Sequence, residues 1–212
     1  MNSNIRREIP ADYKKVEEVT REAFWNLYCP GCNEHLIIHK MRNHSDFIPE
    51  LSFVIELDEE IVGSIFYTHS KVIAEDGTEY PTITFGPVSI LPQYQRKGLG
   101  RALISYSIKV AKELGYKAIL IGGYPYHYHT YGFKGTKTYN ITMPDGQFYK
   151  GIMALPLYEG ALDNVSGSLF FSDVFETDAE ELEVFDKKFP SKEKKVKKSQ
   201  KEFEAASMEL DE

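Results

Sequence analysis

Phe85-Gly86-Pro87-Val88-Ser89-Ile90-Leu91-Pro92-Gln93-Tyr94-Gln95-Arg96-Lys97-Gly98-Leu99-Gly100-Arg101 changes its period partway along. The first half is apolar and strand-like. Pro92 ends that run, because proline lacks the amide proton that a sheet ladder needs. A basic loop containing Gly98 and Gly100 follows. From Leu99 onward, Leu103, Ile104, Ser107, Ile108, Ala111 and Leu114 recur at three- and four-residue steps, which predicts a helix. Strand, glycine loop and helix start together make an anion cradle. Glycines let the backbone approach a ligand closely. The unpaired amides of a first helical turn point at that ligand, and the helix dipole favours negative charge there. Arg96, Lys97 and Arg101 add positive charge, so the loop is suited to a pyrophosphate.

Familiar phosphate loops do not fit. A Walker A loop needs four residues between its glycines and a Gly-Lys-Ser/Thr ending. A dinucleotide fingerprint needs a third glycine where this chain has Leu103. The remaining pattern, Gln95-Arg96-Lys97-Gly98-Leu99-Gly100 after a strand ending in Leu-Pro, resembles the Gln/Arg-x-x-Gly-x-Gly/Ala motif of the GNAT N-acetyltransferases. The resemblance covers about residues 4–158. Asp46-Phe47-Ile48-Pro49-Glu50-Leu51 and the ending Tyr131-Gly132-Phe133 are most similar to the YhbS-type predicted acetyltransferases of that family. The fold implied is α/β (α+β): a mixed, mostly antiparallel sheet with helices on both faces and a central parallel strand pair splayed at the acetyl-CoA site.

The resemblance also implies roles. Acetyl-CoA is the expected cosubstrate and a primary amine, on a small molecule or a protein, the expected acceptor. The amides of Val88, Ser89 and Ile90 would hold the pantetheine arm as a pseudo-strand. The Ile90 amide would also donate to the thioester oxygen. Gln95, Arg96, Lys97, Gly98, Leu99, Gly100 and Arg101 would hold the pyrophosphate. Tyr128, in Tyr128-His129-Thr130-Tyr131-Gly132-Phe133, matches the family tyrosine and is the expected general acid for the departing thiolate. Many family members carry a glutamate on the strand before the cradle, but residues 82–90 contain no carboxylate. The general base is therefore open among Glu79, His69, His35 and a water chain. That missing carboxylate also supports an alternative, a non-catalytic acyl-CoA sensor on the same fold.

Composition bounds these readings. The chain has 212 residues, of which 42% are apolar. That is enough to build a core. Its net charge of −7 argues against a nucleic-acid partner, which calls for a basic face. No apolar run is long enough to span a bilayer and no signal-peptide core is evident, so no membrane partner and a cytoplasmic location are expected. The oligomeric state is not fixed, and a homodimer stays open.

Along the chain, residues 4–9 suggest a strand, and Pro10-Ala11-Asp12 opens a helix with Asp12 as its cap. Cys29-Pro30-Gly31-Cys32, followed by His35, His39 and His44, invites a zinc or redox reading, but the histidine spacing is tight and no second Cys-x-x-Cys exists. A turn followed by a helix over 34–42 fits better, and no metal is expected. Trp25, Tyr28, His35, Phe47 and Tyr124 are candidates for an acceptor wall, which would favour an amine with an apolar or aromatic body. Residues 51–57 and 61–70 read as a hairpin, 82–90 as the strand feeding the cradle, and 118–121 as a buried strand parallel to it. Residues 139–143 and 148–157 read as a closing antiparallel pair. The expected organisation is a domain over 1–158, a helical extension over 159–190 packed on it, whose helix starts at a capping box at Thr177-Asp178-Ala179-Glu180, and a solvated, charged, flexible tail over 191–212.

Overall fold

In a computed structural model, which describes residues 3–212, the hydrophobic pattern resolves into one mixed sheet with helices on both faces. The chain begins with β1 (Ser3–Arg7), a 3₁₀ turn, α1 (Tyr13–Phe24) and α2 (Glu34–Met41). Next come β2 (Phe53–Leu57), β3 (Glu60–Ile73), β4 (Glu79–Ile90), α3 (Leu99–Glu113) and β5 (Ala118–Gly122). Then follow α4 (Pro125–Tyr128), β6 (Lys134–Gly135), β7 (Ile141–Thr142), β8 (Ile152–Pro156) and β9 (Gly167–Phe170). Helices α5 (Ala179–Asp186) and α6 (Lys198–Ser207) close the chain. The sheet order is β1-β2-β3-β4-β5-β8-β6, antiparallel except for the β4–β5 pair, with β9 added to β3 and β7 pairing β9 in parallel. Among the described residues, no helix is long and apolar enough to cross a membrane.

The two faces bury different helices. On one, Leu103, Ile104 and Ala111 of α3 pack against Phe53, Ile55, Ile65, Tyr67, Ile83 and Phe85. On the other, Val16 and Val19 of α1 and Ile37, Ile38 and Met41 of α2 pack against Val54 and Phe66. This is the period-two alternation of the strands: Phe53, Ile55 and Ile65 point one way, Val54 and Phe66 the other. The β2–β3 hairpin turns through Asp58 (φ 48) and Glu59 (φ 70). A tight two-residue turn requires such positive values.

Local expectations are corrected in four places. Asp12 does not cap α1; its carboxylate accepts from the Ile9 amide at 2.9 Å and from Arg6 at 2.6 Å. Asp178, rather than Thr177, caps α5, accepting from the amides of Glu180 and Glu181, because Thr177 is occupied by Asn33. The expected closing pair does not form: Ile141 and Thr142 pair with β9, while β8 pairs with β5 and β6.

The fourth correction concerns the tail, which is docked. Trp25 Nε1 and Asn26 Nδ2 each donate to Glu193 O at 3.0 Å, and the Lys195 amide donates to Asn26 Oδ1. Gln200, buried, donates to Asn26 O and Lys195 O. At the far end, the Lys150 amide donates to Glu209 O, and the Asp211 amide to Phe148 O, both at 2.9 Å. Backbone groups that find such partners order a segment whose composition alone points to solvent.

Candidate active site

Parallel pairing between β4 and β5 is confined to Ile83↔Ile119. Beyond that point the strands part, and β4 runs on to Ile90 held by β3 alone. A bulge lies at the split: Tyr67 faces Phe85 and Ile65 faces Val88, so the register shifts between them. Bulges of this kind redirect a strand edge. The direction of each amide follows from one bond. The Leu91 amide donates to Val62 O of β3 at 2.8 Å. By strict alternation the amides of Val88 and Ile90 face away from β3, into the gap, and that of Ser89 faces β3. The three expected pantetheine donors thus divide: Val88 and Ile90 are available, and Ser89 is not. The Ser89 hydroxyl is also committed, to Ser64 Oγ at 2.8 Å and Thr20 Oγ1 at 3.2 Å.

The cradle forms as the glycines require. Arg96 (φ 59) and Gly98 (φ 86) turn the chain, and Gly98 is the residue before α3. The first helical bond runs from the Ala102 amide to Gly98 O. That leaves the amides of Leu99, Gly100 and Arg101 without helical partners. Gly100 sits over Ile90: a Cβ there would lie 3.6 Å from Ile90 Cγ1, which joins the cradle to the strand end. Gln95 has a different task from the one expected. Its side chain donates to Ile90 O at 3.0 Å, fixing the strand end whose amide faces the gap. Among the described residues Arg96, Lys97 and Arg101 make no ion pair; Lys97 lies 5.3 Å from the Tyr94 ring. Three unpaired cations around unpaired amides make a strong anion site.

Tyr128 ends α4 beside this gap. Its ring packs on Phe85 at 5.8 Å and Phe133 at 5.9 Å, and a Cβ on Gly123 would come within 2.8 Å of it, so glycine there seats the ring. Among the described residues its hydroxyl has no hydrogen-bond partner, yet it is not sealed from solvent. Burial, with a smaller contribution from Tyr131, pushes the phenol up to about 12, so it holds its proton at any physiological pH.

The residues expected to wall an acceptor have different surroundings. Tyr28 and Tyr124 share an aromatic cluster, described below. Trp25 is diverted: the Arg21 guanidinium lies 4.1 Å over its ring and its indole N–H is taken by the tail. His35 is fully buried between α2 and α5, with Nε2 3.1 Å from Asp186 Oδ1 and Phe185 and Phe189 against its ring. Burial holds its imidazole down to about 4 although Asp186 pulls it up. It therefore braces α5 and touches neither strand edge nor cradle. Phe47 packs on Phe66. As bases, His69 and Glu79 are also misplaced. His69 lies opposite Ile83, seven strand residues away from Ile90, or about 20 Å at the usual rise. Glu79, farther still at the strand's start, pairs with Lys71. Phe203 of α6, which packs on Tyr28 and Tyr124, escapes a reading by period because it is a lone aromatic in a lysine- and glutamate-rich run.

Of the nearby histidines only His35 meets the Cys-x-x-Cys pair, at Cys32. Cys29 is exposed, while Cys32 is buried with Sγ near Arg21 O and His35 Nδ1. His39 pairs with Glu17 and His44 with Asp173. Among the described residues, the one group of three or more ligand-type side chains within mutual reach is His44, Asp46 and Asp173, which contains neither cysteine. Burial raises both thiols above their ordinary value, the opposite of an activated redox pair.

A strand with a free amide edge, running into a basic helix start beside an unpartnered tyrosine, is the architecture of an acyltransferase. Residues 21–132 match the model of the Acetyltransferase (GNAT) family, and the chain belongs to that family. It is 24% identical over 172 residues to the uncharacterized N-acetyltransferase YhbS of Escherichia coli O157:H7, spanning 81% of this chain and 97% of that protein. To the uncharacterized N-acetyltransferase YjhQ of Escherichia coli K12 it is 25% identical over 134 residues, spanning 62% of this chain and 74% of that one. The fold matches the crystal structure of Escherichia coli YhbS in complex with CoA at a TM-score of 0.72 and 22% identity, over 82% of this chain and 92% of that one. A GNAT acetyltransferase from Brucella melitensis, in complex with acetyl-CoA, matches at a TM-score of 0.66 and 24% identity, over 82% of this chain and 99% of that one.

Proposed function

We propose that the chain transfers the acetyl group of acetyl-CoA to a primary amine by direct attack in a ternary complex. The observation that supports the proposal is the outward-facing Ile90 amide at a strand end on which Gly100 of the α3 start packs. The edge amides of Val88 and Ile90 receive the pantetheine arm, and the amides of residues 99–101, with Arg96, Lys97 and Arg101, receive the pyrophosphate. Orientation of this kind removes a large part of the barrier. The Ile90 amide donates to the thioester oxygen as it gains negative charge. The amine nitrogen bonds to the carbonyl carbon, the carbon–sulfur bond breaks, and the sulfur takes the proton of the Tyr128 hydroxyl. The nitrogen sheds its proton to water, and Tyr128 is reprotonated from solvent. His35, His69 and Glu79 all lie away from the gap, so a water chain serves as base.

Titration calorimetry with acetyl-CoA, followed by free-thiol release with a panel of amines, tests this. Stoichiometric binding and amine-dependent thiol release are expected. Binding without release would favour the sensor alternative, which the absence of a strand carboxylate supports. Indifference to millimolar acetyl-CoA would sink both.

A further expected result isolates the cradle. Replacing Arg96, Lys97 and Arg101 together by alanine should weaken acetyl-CoA binding by about 100-fold, since charge-assisted bonds contribute about 1 kcal/mol or more each at a partly exposed site. Turnover at saturation should stay within about twofold, because these groups touch phosphate in ground and transition states alike. Raising the salt concentration should weaken the parent protein more than the triple variant. Equal salt dependence in the two would contradict the assignment.

A further inference from the structure

The C-terminal segment lies outside the residues matched by the family model, yet it closes on the site from both sides. Its first anchor is the loop after α1, where residues 193–200 bond Trp25, Asn26 and, through Ser199 Oγ, Leu27 O at 3.1 Å. Its second anchor is the segment entering β8, where Glu209 and Asp211 bond the backbone of Lys150 and Phe148 and Leu210 bridges Tyr149. Between the anchors runs α6, ten residues and so about 15 Å long. From its middle Phe203 stacks on Tyr28, centroids 4.0 Å apart, and meets Tyr124 edge-on at 5.5 Å. Phe24 extends the row on the Tyr28 side and Tyr126 on the Tyr124 side.

Resting on the acetyl-transfer reading above, we propose that this strap supplies a wall of the acceptor site, with Phe203 the residue that selects a cationic amine carrying an apolar or aromatic body. The wall is adjacent to the chemistry. Tyr124 is the extended residue that leads into α4, and Tyr128 is the last residue of that short helix. Tyr28 lies within electrostatic reach of both Tyr128 and Glu34, and Tyr124 within that of Glu202. Glu34 is half-buried, accepts from the Asn33 amide at 3.1 Å, and has no ion partner among the described residues. Glu202 is paired with Lys198 at 2.9 Å and burial pushes the Glu34 carboxyl up to about 7, so the attraction for an ammonium group comes chiefly from the ring faces, which also accommodate its hydrocarbon body. A cavity of about 360 Å³ lies beside this cluster, lined by Tyr28, Cys29 and Pro30 and, from the strap, by Gln200, Lys201 and Glu204; Phe203 and Tyr124 do not line it.

A strap that served packing alone would change stability when altered and nothing else. The test uses the full-length protein, Phe203→Ala and Phe203→Tyr, each saturated with CoA, with 2-phenylethylammonium as probe and titration calorimetry as readout. The parent protein should bind the amine, Phe203→Ala should bind it about fivefold or more weakly, and Phe203→Tyr should match the parent, in line with what one aromatic contact contributes. CoA affinity should be equal in all three. Equal amine affinity in parent and Phe203→Ala overturns the proposal while leaving acetyl transfer intact, as does a CoA-bound parent that ignores the amine. Failure of all three to bind CoA overturns the acetyl-transfer reading and the wall with it. Should Phe203→Ala not fold, Phe203→Leu, which keeps bulk without a ring face, takes its place, and amine affinity equal to the parent's again overturns the proposal.

Discussion

Tyr128→Phe is expected to bind acetyl-CoA as tightly as the parent protein and to turn it over about 100-fold more slowly, the lower end of what general acid catalysis contributes. The substitution isolates one atom. The ring is held by Phe85, Phe133 and the bare backbone of Gly123, and phenylalanine keeps all of those contacts. The hydroxyl bonds to nothing in the protein among the described residues. Its removal leaves no orphaned partner, so the melting temperature should stay within about 2 °C. What is lost is a proton positioned for the sulfur. Because burial pushes the phenol up to about 12, it is fully protonated through pH 6–9, and the deficit in kcat should be constant across that range. A deficit confined to KM, or full turnover at every pH, would remove Tyr128 from the chemistry and leave it a packing residue.

The parts of the site legible in the sequence are those fixed by local rules. Proline at 92, glycine at 98 and the three- and four-residue period from Leu99 determine strand end, turn and helix start from their own backbone requirements. The parallel partner of β4 follows from the crossover rule. Less legible are choices made by residues distant in sequence. His35 and Trp25 look like acceptor-wall residues until α5 arrives. Asp186 then binds Arg21 with Nε–Oδ1 at 2.7 Å and draws in His35, and Arg21 stacks on Trp25. Nothing near position 35 announces a partner at 186. Ser89 departs from its expected role for a subtler reason. A strand contributes donors to one edge only at alternate residues. Which set faces outward depends on the register with β3, fixed here by Leu91 and Val62. The tail defeats composition altogether. Its charge balance describes a solvated segment, while its position is set by backbone bonds to loops at 25–27 and 148–150, which composition does not encode.

Arg42→Met should be the most destabilising single change outside the core, by about 3–5 kcal/mol. Arg42 is 4% exposed, and its guanidinium meets Glu8 at 2.7 Å and Glu17 at 2.6 Å, themselves 3% and 11% exposed. It also lies 4.1 Å over the Tyr13 ring. Removing it strands Glu8 where water cannot reach it freely and leaves Glu17 with His39 alone, which costs far more than the pair contributes against an apolar replacement. The pH dependence has a definite sign. Burial raises the Glu8 carboxyl above its ordinary 4.5 in the fold, with Arg42 pulling it back down. A carboxyl raised on folding binds its proton more tightly folded than unfolded. Its contribution is therefore favourable at low pH and lost as pH rises through the folded value. Without Arg42 that loss grows, so urea unfolding should show a smaller gap between variant and parent at pH 4.5 than at pH 8. The triple variant Glu8→Gln, Glu17→Gln, Arg42→Met should recover most of the gap at pH 8, since no buried carboxylate is left unpaired and half-exposed His39 loses only its contact with Glu17. A gap that widens on acidification would mean that the triad stabilises through its charges rather than by neutralising carboxylates that burial has already made costly. Because Arg42 joins the end of α2 to α1, and Tyr28 lies on the loop between those helices, an amine acceptor should register the loosening in KM while acetyl-CoA, if held by β4 and α3 as proposed, should not.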